Sequence, residues 1–294
     1  MFRSGFIALI GRPNVGKSTL LNALVGEKVA ITTDRPQTTR NQIRAVLTRP
    51  EFQIIFIDTP GLHKPKHKLG DSMVQVARAA MQEVDLVCFL VEANEPPGPG
   101  DRFIAEIMRN VKSPLYLVMN KTDLVSAEKL AVHGDAYAKL CNFKAQFQLS
   151  ALKQTNLEPF IQAALEEMPE GPQYYPHEMI TDQPEYFIAA EIIREKIIVL
   201  TRQEIPFSIA VVIEEMKPRN DGEILDIRAE IFVERKSQVG IIVGKGGLLL
   251  KEVGIKARKE LEALFGQHIF LDLRVKVKKD WRNRDDELRR LGYR

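Results

Sequence analysis

The sequence predicts an α/β fold: a mostly parallel sheet with one antiparallel strand and helices on both faces, followed by a smaller α+β domain. Three observations carry this reading. Short apolar runs alternate with helix-length segments over the first 165 residues, the pattern of a parallel sheet with crossover helices. Met168-Pro-Glu-Gly-Pro-Gln-Tyr-Tyr-Pro176 then concentrates prolines and a glycine that neither helix nor sheet accommodates. Beyond it the order of elements changes. The predicted domains are therefore 1–168 and 181–294, joined by a linker over 169–180.

The elements follow in order. Apolar runs at 6–10, 42–48, 52–58, 86–91, 115–120 and 144–148 read as strands. Helical patterns occupy 17–25, 71–83, 100–110, 127–141 and 157–167. Only a short turn separates the second and third strands, so they form a hairpin, and one strand of the sheet runs antiparallel. After the linker come a helix over 184–201, strands over 207–215 and 223–234, a glycine-rich turn, a helix over 248–265, a strand over 269–278 and a polar helix from Arg282.

Composition excludes several classes. The 294 residues are 45% hydrophobic and 28% charged, enough apolar material for two cores. The net charge of +3 excludes a histone-like basic arm or an acidic disordered chain. That charge is unevenly spread: residues 1–180 carry +1, 181–234 carry −6 and 235–294 carry +8. Two scattered cysteines, Cys88 and Cys141, suit a reducing cytoplasm, and neither they nor the five histidines have metal-ligand spacing. No signal-peptide pattern and no run of ~20 apolar residues is evident, so a cytoplasmic chain without a transmembrane segment is expected.

Four motifs carry chemistry. Gly11, Arg12, Pro13, Asn14, Val15, Gly16, Lys17 and Ser18 match G-x-x-x-x-G-K-[ST], between an apolar strand and a helix that opens at Thr19. That context identifies a phosphate loop, whose backbone N–H groups cradle phosphates while Lys17 reaches the β- and γ-phosphates and Ser18 ligates Mg²⁺. Asp58, Thr59, Pro60 and Gly61 follow the third strand. Asp58 suits the Mg²⁺ shell, and Gly61 can offer its N–H to a γ-phosphate.

Asn120, Lys121, Thr122 and Asp123 follow the fifth strand and read the base. A carboxylate accepts both N1–H and N2–H₂ of guanine, whereas adenine offers no such pair of donors. Asn120 braces the loop and the Lys121 stem packs on the ring. Ser150, Ala151 and Leu152 complete the set, with backbone placed to meet guanine O6. The four motifs in this order, each at a strand end, resemble the translation-factor-related GTPases. The resemblance implies a P-loop G domain that binds GTP or GDP with Mg²⁺.

The polar segment 32–41 supplies a threonine for Mg²⁺ and the γ-phosphate when GTP is bound. The family pattern points to Thr39, with Thr38 as the alternative. A second switch is expected over 61–69, with Lys64, Lys66 and Lys68 as a basic cluster. Leu62 stands where many relatives carry a water-orienting glutamine, so hydrolysis is expected to be slow. In GTPases with a hydrophobic residue there, a phosphate-loop asparagine can bind K⁺ as a substitute for an arginine finger. Asn14 occupies that place, and turn formation is the competing reading. Lys17, Thr39, Gly61 and Asn14 are the expected catalytic set.

In the second domain Gly244, Lys245, Gly246 and Gly247 form a G-x-x-G loop before an amphipathic helix. Ile241, Ile242 and Val243 precede it, and Lys251 lies one turn beyond it. With the +8 charge and the element order, this resembles a type II KH domain, whose loop clamps the backbone of about four single-stranded nucleotides. Trp281 reads as core or a helix cap.

A G domain followed by one such domain resembles the Era-like GTPases over essentially the whole chain. The resemblance implies GTP-dependent binding to the 3′ end of 16S rRNA and to the small ribosomal subunit during its assembly. It also implies peripheral contact with the inner membrane, and the chain is read as a monomer. Two alternatives remain open: a constitutive RNA-binding module with a structural nucleotide, and a GTPase partner of tRNA modification.

Overall fold

The computed structural model describes residues 1–33, 35, 38–65, 67–201, 205–219 and 222–293. They fall into two compact units, the first ending at Asp182 and the second built chiefly from residues 183 onward.

The first unit is a six-stranded sheet in the order β2-β3-β1-β4-β5-β6. Its strands are β1 (Arg3–Gly11), β2 (Ile43–Arg49), β3 (Phe52–Asp58), β4 (Leu86–Glu92), β5 (Leu115–Asn120) and β6 (Ala145–Gln148). Only β2 runs antiparallel, paired to β3 from Ile43 opposite Asp58 to Arg49 opposite Phe52. All seven β3 residues and all six of β5 are buried, as expected of strands covered on both faces. The helices are α1 (Lys17–Val25), α2 (Lys68–Ala80), α3 (Pro99–Met108), α4 (Ala127–Ala138) and α5 (Leu157–Glu166). Asp101 fixes the start of α3 by accepting the Gly98 N–H at 2.8 Å. The order reverses at β1, which pairs with β3 on one side and β4 on the other. Loops leaving the carboxyl ends of β1, β3 and β5 therefore converge at a topological switch point.

Residues 169–180, expected to be a linker, are instead stitched onto this unit. Ser4 N–H donates to Pro169 O at 3.1 Å and Val46 N–H to Ile180 O at 2.9 Å. Buried Gln53 accepts the N–H groups of Tyr174 and Tyr175 at 2.8 and 2.9 Å. Its amide donates to Tyr175 O at 2.9 Å. Proline and glycine exclude regular structure here, yet the free backbone groups still find partners on β1, β2 and β3.

The second unit is a three-stranded sheet in the order β7-β8-β9, made of β7 (Ala210–Arg219), β8 (Ile224–Val233) and β9 (His268–Val277). β7 is antiparallel to β8, and β8 is parallel to β9. Its helices are α6 (Glu185–Leu200), the turn α7 (Ile205–Ser208), α8 (Lys236–Val243), α9 (Leu248–Phe265) and α10 (Asp285–Arg290). Ile193, Ile197, Ile231, Ile242, Val253 and Leu261 are among the residues that form its core. Two expectations fail here. The stretch before the G-x-x-G loop is the helix α8 rather than an irregular turn, and the first strand begins at Ala210 because 205–208 coil into α7.

Candidate functional site

Three glycines bring the loops of the first unit together. A Cβ on Gly11 would lie 2.5 Å from Leu90 O, one on Gly16 would lie 2.3 Å from Asn120 Nδ2, and one on Gly61 would lie 2.7 Å from the Pro13 backbone. Gly16 also has φ +96, open to glycine without strain. Each contact excludes a side chain, so glycine at 16 and 61 lets the phosphate loop meet the segments after β5 and β3, and glycine at 11 lets β1 lie close against β4.

Lys17 opens α1, and its Nζ donates to Gly11 O at 3.3 Å and Arg12 O at 3.0 Å. Burial lowers its pKa to about 8, and the nearby Asp58 charge only partly opposes this. Ser18 Oγ donates to Asp58 Oδ2 at 2.6 Å. Thr39 Oγ1 donates to the same oxygen at 3.1 Å and lies 2.9 Å from Ser18 Oγ. Thr38 turns elsewhere, donating to Arg35 O at 2.7 Å. Ser18, Thr39 and Asp58, the three residues expected to ligate the metal, thus meet at one point, whereas the Thr38 hydroxyl bonds elsewhere.

Asp58 Oδ1 is buried and has no hydrogen-bond partner among the described residues. Burial raises the Asp58 pKa, with Lys17, Ser18 and Thr39 opposing. Two hydroxyls and a carboxylate with an orphaned oxygen form a hard-oxygen set that fits Mg²⁺.

A cleft of about 400 Å³ runs from this corner along Gly16, Lys17 and Gly61 to Glu92 and Lys121. The Lys121 ammonium pairs with Glu92 at 2.7 Å. Asn120 is 2% exposed and uses both ends of its amide: Nδ2 donates to Val15 O at 2.8 Å, and Oδ1 accepts the Ala151 N–H at 2.9 Å. It therefore locks the phosphate loop to the 150–152 loop. Ser150 Oγ donates to Asp123 Oδ1 at 2.6 Å and aims that carboxylate. Asp123, Ser150 and Ala151 adjoin the cleft's Lys121 end without lining it.

Other expected site residues have different work. The Arg12 side chain is held by Asp101 at 3.0 Å and Glu95 at 3.2 Å, so only its backbone serves Lys17. Val15 is a core residue that contributes its carbonyl. Thr59 and Pro60 are buried, and Thr59 Oγ1 donates to Leu9 O at 2.8 Å. Leu152 is 74% exposed, and its side chain presents no polar group, which leaves only its backbone to meet a base. Leu62 is fully buried, its N–H donating to Gly11 O at 3.0 Å, so it orients no water. Asn14 has φ +69, the left-handed turn geometry that asparagine tolerates. Lys64 and Lys68 are exposed, and Lys66 lies outside the described residues.

In the second unit α8 ends at Gly244, whose φ of +72 and 2.7 Å approach to Leu249 Cβ both require glycine. Gly246 and Gly247 also have positive φ, and space around them is open. Lys245 and Lys251 are exposed. The expected apolar wall divides: Ile241 is 50% exposed, Val243 is half-buried, and Ile242 belongs to the core, because three consecutive residues of a helix point three ways.

A cleft of about 360 Å³ opens instead between α9 and β9, with Lys251, Ile255, Arg258 and Phe270 among its walls. The sequence reading missed the last three. The i, i+4, i+7 spacing of Lys251, Ile255 and Arg258 was the available signal. Trp281 is core, its indole N–H donating to Ser208 O at 3.0 Å. Arg282 pairs with Glu234, Arg284 with Asp286 and Lys278 with Glu287, so these cations serve the domain's own carboxylates.

The family described as 50S ribosome-binding GTPase matches residues 6–121, and the KH domain family matches 204–282. GTPase Era of Heliobacterium modesticaldum is 53% identical over 291 residues, covering 99% of this chain and 97% of the relative. That of Staphylococcus haemolyticus is 50% identical with the same coverage. A crystal structure of Era with MgGDPNP and nucleotides 1506–1542 of 16S ribosomal RNA superimposes with TM-score 0.96 at 42% identity, covering 100% of this chain and 99% of that one. A variant of Aquifex aeolicus Era bound to GDP·AlF₄⁻ gives 0.95 at 41% identity, covering 99% of both chains.

Proposed function

The chain belongs to the Era family of GTPases, and on that premise we propose that it is a GTP-hydrolysing switch that binds the 3′ end of 16S rRNA. The meeting of Thr39, from the polar loop, with Ser18 and Asp58 carries the switch. These residues would hold Mg²⁺, whose charge offsets that on the β- and γ-phosphates. When GTP enters, the Lys17 ammonium exchanges two carbonyl oxygens for phosphate oxygens, which favour its charged form. Gly61 offers its N–H to the γ-phosphate, and Asp123, aimed by Ser150, accepts the guanine N–H groups. Loss of the γ-phosphate removes the partner that orders both the Thr39 and the Gly61 segments.

Hydrolysis is slow because Leu62 is sealed in the core. Asn14 stands where a K⁺ ion would offset transition-state charge. Equal turnover in K⁺ and Na⁺ would remove that role.

RNA enters through the G-x-x-G loop and the α9–β9 cleft of the second unit. The relative's complex with 16S rRNA supports RNA binding, and the exposed Lys245, Lys251 and Arg258 support this face as its site. The proposal extends to the small ribosomal subunit during its assembly, as the particle that carries this RNA. The family resemblance extends it further to a cytoplasmic protein with peripheral membrane contact. Among the described residues no helix is long and apolar enough to cross a membrane.

The test is RNA affinity in two nucleotide states, using nucleotides 1506–1542 of 16S rRNA with GDPNP or GDP. Tighter binding with GDPNP is expected, and by linkage the RNA must tighten GDPNP equally. Equal affinities would instead favour a constitutive RNA-binding module.

A further inference from the structure

Phe270 is an exposed aromatic side chain on an edge strand. Among the described residues β9 pairs only with β8. Along its outward row Phe270, Asp272, Arg274 and Lys276 alternate with inward residues, and the rest of that face is laced with charge. Arg228 bonds Glu215 at 3.2 Å, Arg274 bonds Asp272 at 3.1 Å, and Lys276 pairs with Glu230. Phe270 breaks this ladder with a ring left 51% exposed.

The ring is also held. The Arg219 guanidinium carbon lies 4.6 Å from its centroid, and Arg219 Nε donates to Asp226 Oδ2 at 2.8 Å. The carboxylate fixes the guanidinium, and the guanidinium covers one face of the ring. Phe270 is also among the residues that line the α9–β9 cleft, with Lys251, Ile255 and Arg258. The described residues lining that cleft include no carboxylate.

We propose that Phe270 is a base-stacking platform, backed by Arg219, that sets the affinity of the cleft for single-stranded RNA. The inference rests on the RNA-binding reading above and adds a specific residue to it. A half-exposed aromatic ring in water is unfavourable unless something covers it. A ligand suited to cationic walls around a π-surface has an anionic backbone and flat bases. Single-stranded nucleic acid meets both requirements, and stacking on an aromatic face accepts any base. The positive walls argue against a basic peptide as the occupant.

The experiment uses the full-length protein with GDPNP and Mg²⁺. The probe is RNA spanning nucleotides 1506–1542 of 16S rRNA, with 2-aminopurine placed singly along its unpaired stretch. Phe270→Leu keeps apolar bulk without the ring, and Phe270→Trp restores an aromatic face. Stacking predicts about ten-fold weaker binding for Phe270→Leu and recovery to within about two-fold of wild type for Phe270→Trp. The dependence on salt stays parallel, because no charge has changed. One 2-aminopurine position is quenched by wild type and not by Phe270→Leu.

Affinity of Phe270→Leu within two-fold of wild type, or quenching unchanged, would overturn the platform while leaving the RNA-binding reading intact. Absence of wild-type binding would overturn both. GTPase turnover without RNA and the thermal midpoint report whether each variant is folded.

Discussion

Thr39 Oγ1 donates a hydrogen bond to Asp58 Oδ2 at 3.1 Å, although 19 residues separate them in the chain. One belongs to the polar loop before β2, the other ends β3. The loop therefore already reaches the corner formed by Ser18 and Asp58. Thr39→Val keeps the shape and removes the oxygen. Affinity for GDPNP should fall about ten-fold or more while GDP affinity stays within about two-fold, since only the triphosphate carries the γ-phosphate that the proposed Thr39 contact serves. Thr38→Val should change neither, because Thr38 serves Arg35 and Thr33. Equal effects of the two variants on GDPNP binding would refute the assignment.

Asp123 is aimed by Ser150, and this predicts the base preference. Asp123→Asn replaces an acceptor-only group by one that presents an amide donor. Guanine, with donors at N1 and N2, is then opposed, whereas xanthine offers a C2 carbonyl that can accept. GTP affinity should fall by about 10² or more and xanthosine triphosphate affinity should rise. Ser150→Ala should give a milder loss for GTP, about ten-fold, with the preference unchanged. Competition binding of the two nucleotides checks both, and GTP retained over XTP by the asparagine variant would sink the base-reading role.

Much of this was legible in the sequence. The apolar run Phe52-Gln-Ile-Ile-Phe-Ile57 made β3 readable, and the phosphate loop was fixed by residue identity at short spacing. Other features depend on information that local pattern lacks. Ile241, Ile242 and Val243 form an unbroken apolar run, which has no period, so their separation into exposed, buried and half-buried positions needed the helix α8. The Pro/Gly stretch advertises irregular backbone truthfully, but its partners are Gln53 and β1–β3, more than a hundred residues upstream. Arg12 looks like a phosphate ligand by position, and only the fold reveals Asp101 beside it.

Gln53 holds the 174–175 backbone through three hydrogen bonds and a fourth from Nε2 to Thr48 Oγ1 at 2.9 Å. Gln53→Leu keeps the bulk and orphans backbone groups that water reaches poorly. We expect about 2 kcal/mol lower stability by denaturant titration. Protease should also cut faster within 171–176, because the segment loses its anchor. Unchanged cleavage there would mean that the β1 and β2 backbone bonds suffice to hold it.

Lys17 makes the nucleotide-free protein pH-dependent in a direction set by its burial. Its folded pKa is about 8 against an ordinary 10.5. Between those values the unfolded chain keeps the proton and the folded protein has released it, so stability rises with pH across that window. The contribution is fully present above pH 10.5 and lost as pH falls through about 8, where the buried ammonium costs about 3 kcal/mol. Lys17→Met removes this titration but leaves other groups in place. The stability difference, wild type minus Lys17→Met, should therefore be most negative near neutral pH and climb towards pH 10.5 in denaturant titrations without nucleotide. With GDPNP and Mg²⁺ the wild-type ammonium gains phosphate partners that favour its charged form, and the climb should vanish. Parallel stability profiles for the two proteins without nucleotide would show that Lys17 reaches solvent and keeps its proton, contrary to its burial beside Gly11 and Arg12.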